Sequence, residues 1–116
     1  MYIEAMVAPV KSASKDEYVA TSQAMAKLFK QHGALAYCEC WGSDVPDGKR
    51  TSFPLAVALE KDETCAICFI TYPDKATRDS CMEAVMSDPE AEAMFQSLPL
   101  DGARMIFGGF ETVVSA

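Results

Sequence analysis

The sequence predicts an α+β fold of the ferredoxin-like βαββαβ type: a four-stranded sheet with helices on one face, assembling as a dimeric α/β barrel. Its elements run in the order β-α-β-(β)-β-α-α-β. Helix-start chemistry stands at Ser14, Asp74 and Asp88. The alternation from Leu35 to Gly42 marks a half-buried strand. The chain has 116 residues, half of them apolar, which suits one domain over residues 1–116 with a sizeable core.

The first strand is read over Met1–Val10, where Met1, Ile3, Ala5 and Val7 alternate with Tyr2, Glu4 and Met6. Ser14-Lys15-Asp16-Glu17 matches a capping box, in which the Ser hydroxyl and Glu carboxylate satisfy each other's orphan amides. Tyr18, Ser22, Met25, Phe29 and His32 follow at helical spacing, and Gly33 stops the helix. In the second strand Tyr37, Glu39 and Trp41 face one way and Ala36, Cys38 and Cys40 the other. Pro46-Asp47-Gly48 turns a loop over residues 43–51. A short edge strand is expected over Phe53–Leu59, then a longer one over Cys65–Tyr72. Asp74 caps a helix to about Met86, and Asp88 with Pro89 starts another to about Gln96. Arg104–Val114 is read as the last strand, with Gly108-Gly109 marking a bulge or a close approach by another element. A bulge would bring Arg104 and Glu111 to one face.

Ten Lys and Arg oppose seventeen Asp and Glu, a net charge of −7 with no basic run. That balance disfavours nucleic acid and anionic membranes as partners. No apolar stretch approaches the roughly 20 residues that span a bilayer, and the N-terminus has no signal-peptide pattern. Five cysteines, an odd number, then read as free thiols in a reducing cytoplasm. Cys65 and Cys68 lie three apart on a strand, hence on opposite faces, so no metal site is expected; neither is a cofactor.

The small Cys38 and Cys40 side is assigned to the helices. Tyr2, Glu4, Met6, Tyr37, Glu39 and Trp41, with Met105 and Phe107 or their neighbours, are then left on the other face. So much aromatic surface calls for a cover, and a second copy stacked sheet to sheet supplies one. The partner expected is the chain itself, in a homodimer.

Several motifs resemble the YbaA-like family of small bacterial proteins, a domain-of-unknown-function family. They are His32-Gly33-Ala34-Leu35, Asp44-Val45-Pro46-Asp47-Gly48-Lys49 and Thr51-Ser52-Phe53-Pro54. Arg78-Asp79, Val85-Met86, Asp88-Pro89 and Asp101-Gly102 continue the likeness, as does the run from Arg104 to Glu111. The resemblance spans nearly the whole chain and implies a dimeric α/β-barrel fold, with no catalytic residue attached. Ala103 stands where the family pattern suggests Lys, and Pro73-Asp74-Lys75 replaces a Ser-Arg type helix start.

The functional reading is a small organic molecule held in the barrel or in a cleft between subunits. The ligand-binding candidates are Tyr2, Glu4, Tyr37, Glu39, Trp41 and Arg104. An enzyme of the cofactor-independent monooxygenase or isomerase type is the alternative, with His32, Glu39, Arg104 and Glu111 as the catalytic candidates. A non-catalytic interaction or stress-response module is the third reading. An interior filled solid by aromatic side chains would exclude both ligand readings. The seven methionines are read as core filler.

Overall fold

The computed structural model describes residues 1–116. Four strands, β1 (Tyr2–Lys11), β2 (Ala36–Trp41), β3 (Glu63–Tyr72) and β4 (Ile106–Glu111), form one antiparallel sheet in the order β2-β3-β1-β4. The helices are α1 (Lys15–Gln31), α2 (Phe53–Ala56), α3 (Lys75–Met86) and α4 (Pro89–Ser97). Two long strands at the centre, with α1 and α3 as the return crossings, give the ferredoxin-like α+β fold.

Local chemistry explains most boundaries. Asp74 accepts from the Thr77 amide at 2.8 Å and Asp88 from the Glu90 amide at 2.9 Å, so both expected caps form. Gly33 leaves α1 at φ +110°, a backbone that side-chain-bearing residues rarely adopt. The capping box at Ser14 does not form. A 3-10 turn over Ser12–Ser14 leads into α1, and Ser14, at φ −105° and ψ 22°, lacks the extended backbone that would aim its hydroxyl at the helix amides.

Two strand assignments need correction. Phe53–Ala56 is a helical turn, because the Ser52 hydroxyl accepts from the Leu55 amide at 3.0 Å and Pro54 sits in the first turn. β4 begins at Ile106, and Arg104 belongs to a preceding 3-10 turn, Gly102–Arg104. No bulge interrupts β4: its pairing with β1 runs unbroken from Val7↔Ile106 to Tyr2↔Glu111, so Arg104 and Glu111 share no strand face. Close approach is the reason for glycine here. A Cβ on Gly109 would collide with the Arg78 guanidinium and the Tyr2 hydroxyl.

The sheet faces are reversed from the sequence expectation. Tyr2, Glu4, Met6, Tyr37, Glu39 and Trp41 lie on the helix side, in register with Cys68, Ile70 and Tyr72 of β3. Phe29 and Ile70 are among the most deeply buried side chains of this layer, and Phe29 packs on Tyr37 with ring centroids 5.6 Å apart. Buried carboxylates decide the polarity: Tyr18 of α1 and Arg78 of α3 give Glu39 and Glu4 their partners, whereas a two-fold sheet stack would bring like charges together. Cys38 and Cys40 lie on the open face with Ile3, Val7, Ile67 and Phe69, as the strand register dictates.

Candidate functional site

A cavity of about 320 Å³ lies between the sheet and its helices. Its floor is the helix-side row of the sheet, including Glu4, Met6, Tyr37, Glu39, Cys68 and Ile70. Tyr18, Met25 and Phe29 of α1 wall one side, and Met82, Met86 and Phe95 of α3 and α4 another. Leu98, Leu100, Met105 and Phe107 complete the lining on the approach to β4. Sixteen of the nineteen lining residues are hydrophobic, so the few polar atoms set what can be recognised.

Glu39 is the principal polar group. Its Oε2 accepts from the Tyr18 hydroxyl at 2.8 Å and its Oε1 from the Tyr37 hydroxyl at 3.2 Å. No ion pair in the chain includes it. Burial raises its carboxyl above the ordinary value of 4.5, with the Tyr18, Cys68 and Tyr37 contacts pulling the other way. Burial and the nearby carboxylate also raise the Tyr18 and Tyr37 hydroxyls and the Cys68 thiol, so all three stay protonated near neutrality. The arrangement is a half-buried carboxyl held by two neutral phenols at one end of an apolar chamber.

Glu4 lines the same cavity but is charge-compensated. Arg78 Nε lies 3.2 Å from Glu4 Oε2, a contact too poorly aligned to count as a hydrogen bond. The guanidinium also donates to the Tyr2 hydroxyl at 3.1 Å and to Asp79 at 2.9 Å.

The cavity thus collects Glu4, Tyr37 and Glu39 from the sequence candidates. Tyr2 stands behind Glu4 beneath Arg78, and Trp41 packs on Tyr18 outside the lining, at 6.1 Å between ring centroids. His32 is exposed at the end of α1, and Glu111 is exposed at the end of β4. Arg104 is occupied elsewhere, in a two-pronged pair with Glu63 at 2.7 and 2.6 Å. Tyr18, Cys68 and the methionines were not among the candidates. Tyr18 was legible only as a helix-stripe residue, since nothing in its spacing shows that its hydroxyl reaches β2.

Residues 1–102 match the protein family of unknown function DUF1428. The chain belongs to that family. It is 44% identical to the uncharacterized protein YbaA of Escherichia coli over 113 residues, 97% of each chain. The fold matches that of a dimeric ferredoxin-like protein from an uncultured marine organism, with a TM-score of 0.66 at 8% identity, covering 100% of this chain and 98% of that one. It also matches SnoaB, a cofactor-independent oxygenase from Streptomyces nogalater, with a TM-score of 0.61 at 10% identity, covering 98% and 95%. At such identities these two structures speak for the fold alone. No helix is long and apolar enough to cross a membrane.

Proposed function

We propose that this DUF1428 member is a one-domain cytoplasmic protein that binds a small, mainly apolar organic molecule in the chamber between sheet and helices, with the molecule's polar end on Glu39. The carrying observation is the chamber itself: about 320 Å³ of space in which one carboxyl without a cationic partner is the main polar feature. An interior left open on the core side of a domain this small is poor packing unless something occupies it. Native mass spectrometry of the protein purified from the cells that make it tests this reading. A retained small molecule, lost when Ala66→Phe fills the floor, supports it. No adduct, together with no thermal stabilisation by any member of an apolar fragment set, overturns it.

The working unit we propose is a homodimer joined through the open sheet face. Ile67, Phe69, Ile106 and Phe110 are exposed there, beside Ile3 and Val7, and Val113 and Val114 extend uncovered beyond the edge strand. Such a contiguous apolar face calls for a cover, and dimeric proteins of the same fold favour a second copy. Sedimentation should give twice the chain mass, falling to the monomer in Phe69→Glu; a wild-type monomer at micromolar concentration refutes the dimer.

An acid–base enzyme is the second reading, favoured by a cavity carboxyl that burial raises and that two tyrosine hydroxyls hold in place. The likeness to a cofactor-independent oxygenase is compatible with it at the level of fold. Turnover of a captured molecule that is lost in Glu39→Gln, with binding retained, would select this reading over simple binding.

A further inference from the structure

We infer that the molecule taken into this chamber is an apolar amine, bound as its ammonium ion against Glu39. The inference rests on the binding reading above and specifies its charge.

The two cavity glutamates make the case by contrast. Glu4 has its cation within the protein, since Arg78 Nε stands 3.2 Å away. Glu39 has none: its two contacts come from neutral tyrosine hydroxyls, one on each oxygen. Hydroxyls satisfy lone pairs but leave the net charge uncompensated, and a carboxylate withdrawn from water without a counter-charge is costly. Arg104 is committed to Glu63, and Lys15 lies over the Trp41 ring, 5.5 Å from its centroid. The missing charge is therefore expected from the occupant.

The surroundings suit a cation as well. Tyr18, Phe29 and Tyr37 line the cavity with Glu39, and the Phe29 and Tyr37 rings meet at 51° with centroids 5.6 Å apart. Ring faces attract an ammonium through their quadrupoles, most strongly where water is excluded. Met25, Met82 and Met86 offer the adaptable apolar wall that the rest of an amphipathic amine requires. The chain's charge of −7 draws cations toward the protein and discourages anions.

Three probes of one shape test the assignment by titration calorimetry on the full chain at pH 7: 1-naphthylmethylamine, 1-naphthalenemethanol and 1-naphthoate. The ammonium is expected to bind about ten-fold tighter than the alcohol, the scale of one charge-assisted hydrogen bond. The carboxylate should bind weakest. In Glu39→Gln the preference for the ammonium over the alcohol should shrink to about two-fold or less. The wild-type comparison decides the matter even if that variant fails to fold. Alcohol bound as tightly as the ammonium, or no binding by any of the three, overturns the cationic assignment; the binding reading falls only on the mass-spectrometry and fragment results given above.

Discussion

Glu39 and Glu63 are carboxylates of one sheet, both drawn back from solvent, and their electrostatics are opposite. Glu63 receives Arg104 through both oxygens and the Glu60 amide at 2.8 Å, and its carboxyl falls to about 2. Glu39 receives neutral donors and no cation, and burial pushes its carboxyl upward. The first ties the turn before β3 to the turn before β4, since Arg104 also donates to the Ala58 carbonyl at 3.0 Å and to Asp101 at 2.9 Å. The second holds nothing together that a neutral group could not hold. A carboxylate paired with a cation and one held by neutral hydroxyls are told apart by their partners, not by their depth.

The largest effect expected is at the clamp. Arg104→Ala should be the most destabilising of these changes in denaturant melts at pH 7, because it strands Glu63, whose side chain is 2% exposed, without its counter-charge. A loss below about 1 kcal/mol would remove the contrast between the two sites. The acid limb should report the same pair. The folded carboxyl of Glu63 is depressed, so its contribution is complete above the ordinary 4.5 and is lost as pH falls through about 2. That loss should shrink in Arg104→Ala, where the Glu60 amide is left as the carboxylate's main partner.

At Glu39 the sign is reversed. Its folded carboxyl lies above 4.5, so over the interval up to the folded value the native state holds the proton more tightly, and stability falls as pH rises. Tyr18→Phe should cost about 1 kcal/mol and push the Glu39 carboxyl higher still, a shift that carboxyl-carbon NMR titration would read. A downward shift would break the comparison. Glu39→Gln should leave stability unchanged or raise it by up to about 1 kcal/mol, and should flatten the slope above pH 4.5. The smallest effect belongs to Ala58, whose φ of +49° is unfavourable for a residue with a Cβ. Ala58→Gly should add about 0.5 kcal/mol to stability if Arg104 fixes that backbone.

Strand alternation and capping chemistry made the fold class, the crossings and the caps at Asp74 and Asp88 legible in sequence. Sheet polarity was not legible from β2 alone: Cys38 and Cys40 fit a close helix approach as well as they fit an open face. What decides it is long-range, namely the reach of Tyr18 to Glu39 over 21 positions and of Arg78 toward Glu4. Glu39 and Tyr37 could be singled out because they share a strand face with polar and aromatic neighbours. Arg104 looked like a ligand group because its partner lies 41 residues away, beyond anything local spacing can reveal. Of the two readings of Gly108-Gly109, a bulge or a close approach, the second holds, since the space above Gly109 is taken by side chains from β1 and α3.

Five of the seven methionines line the chamber. Unbranched thioether chains rearrange at little energetic expense, so the walls set no firm template for length or outline. Discrimination is then delegated to a single fixed point, the carboxyl and its two phenols, while the remainder yields to whatever is attached there. On the binding reading proposed above, such a chamber is strict about one functional group and lenient about the skeleton that carries it. It can serve a series of related compounds better than one unique molecule.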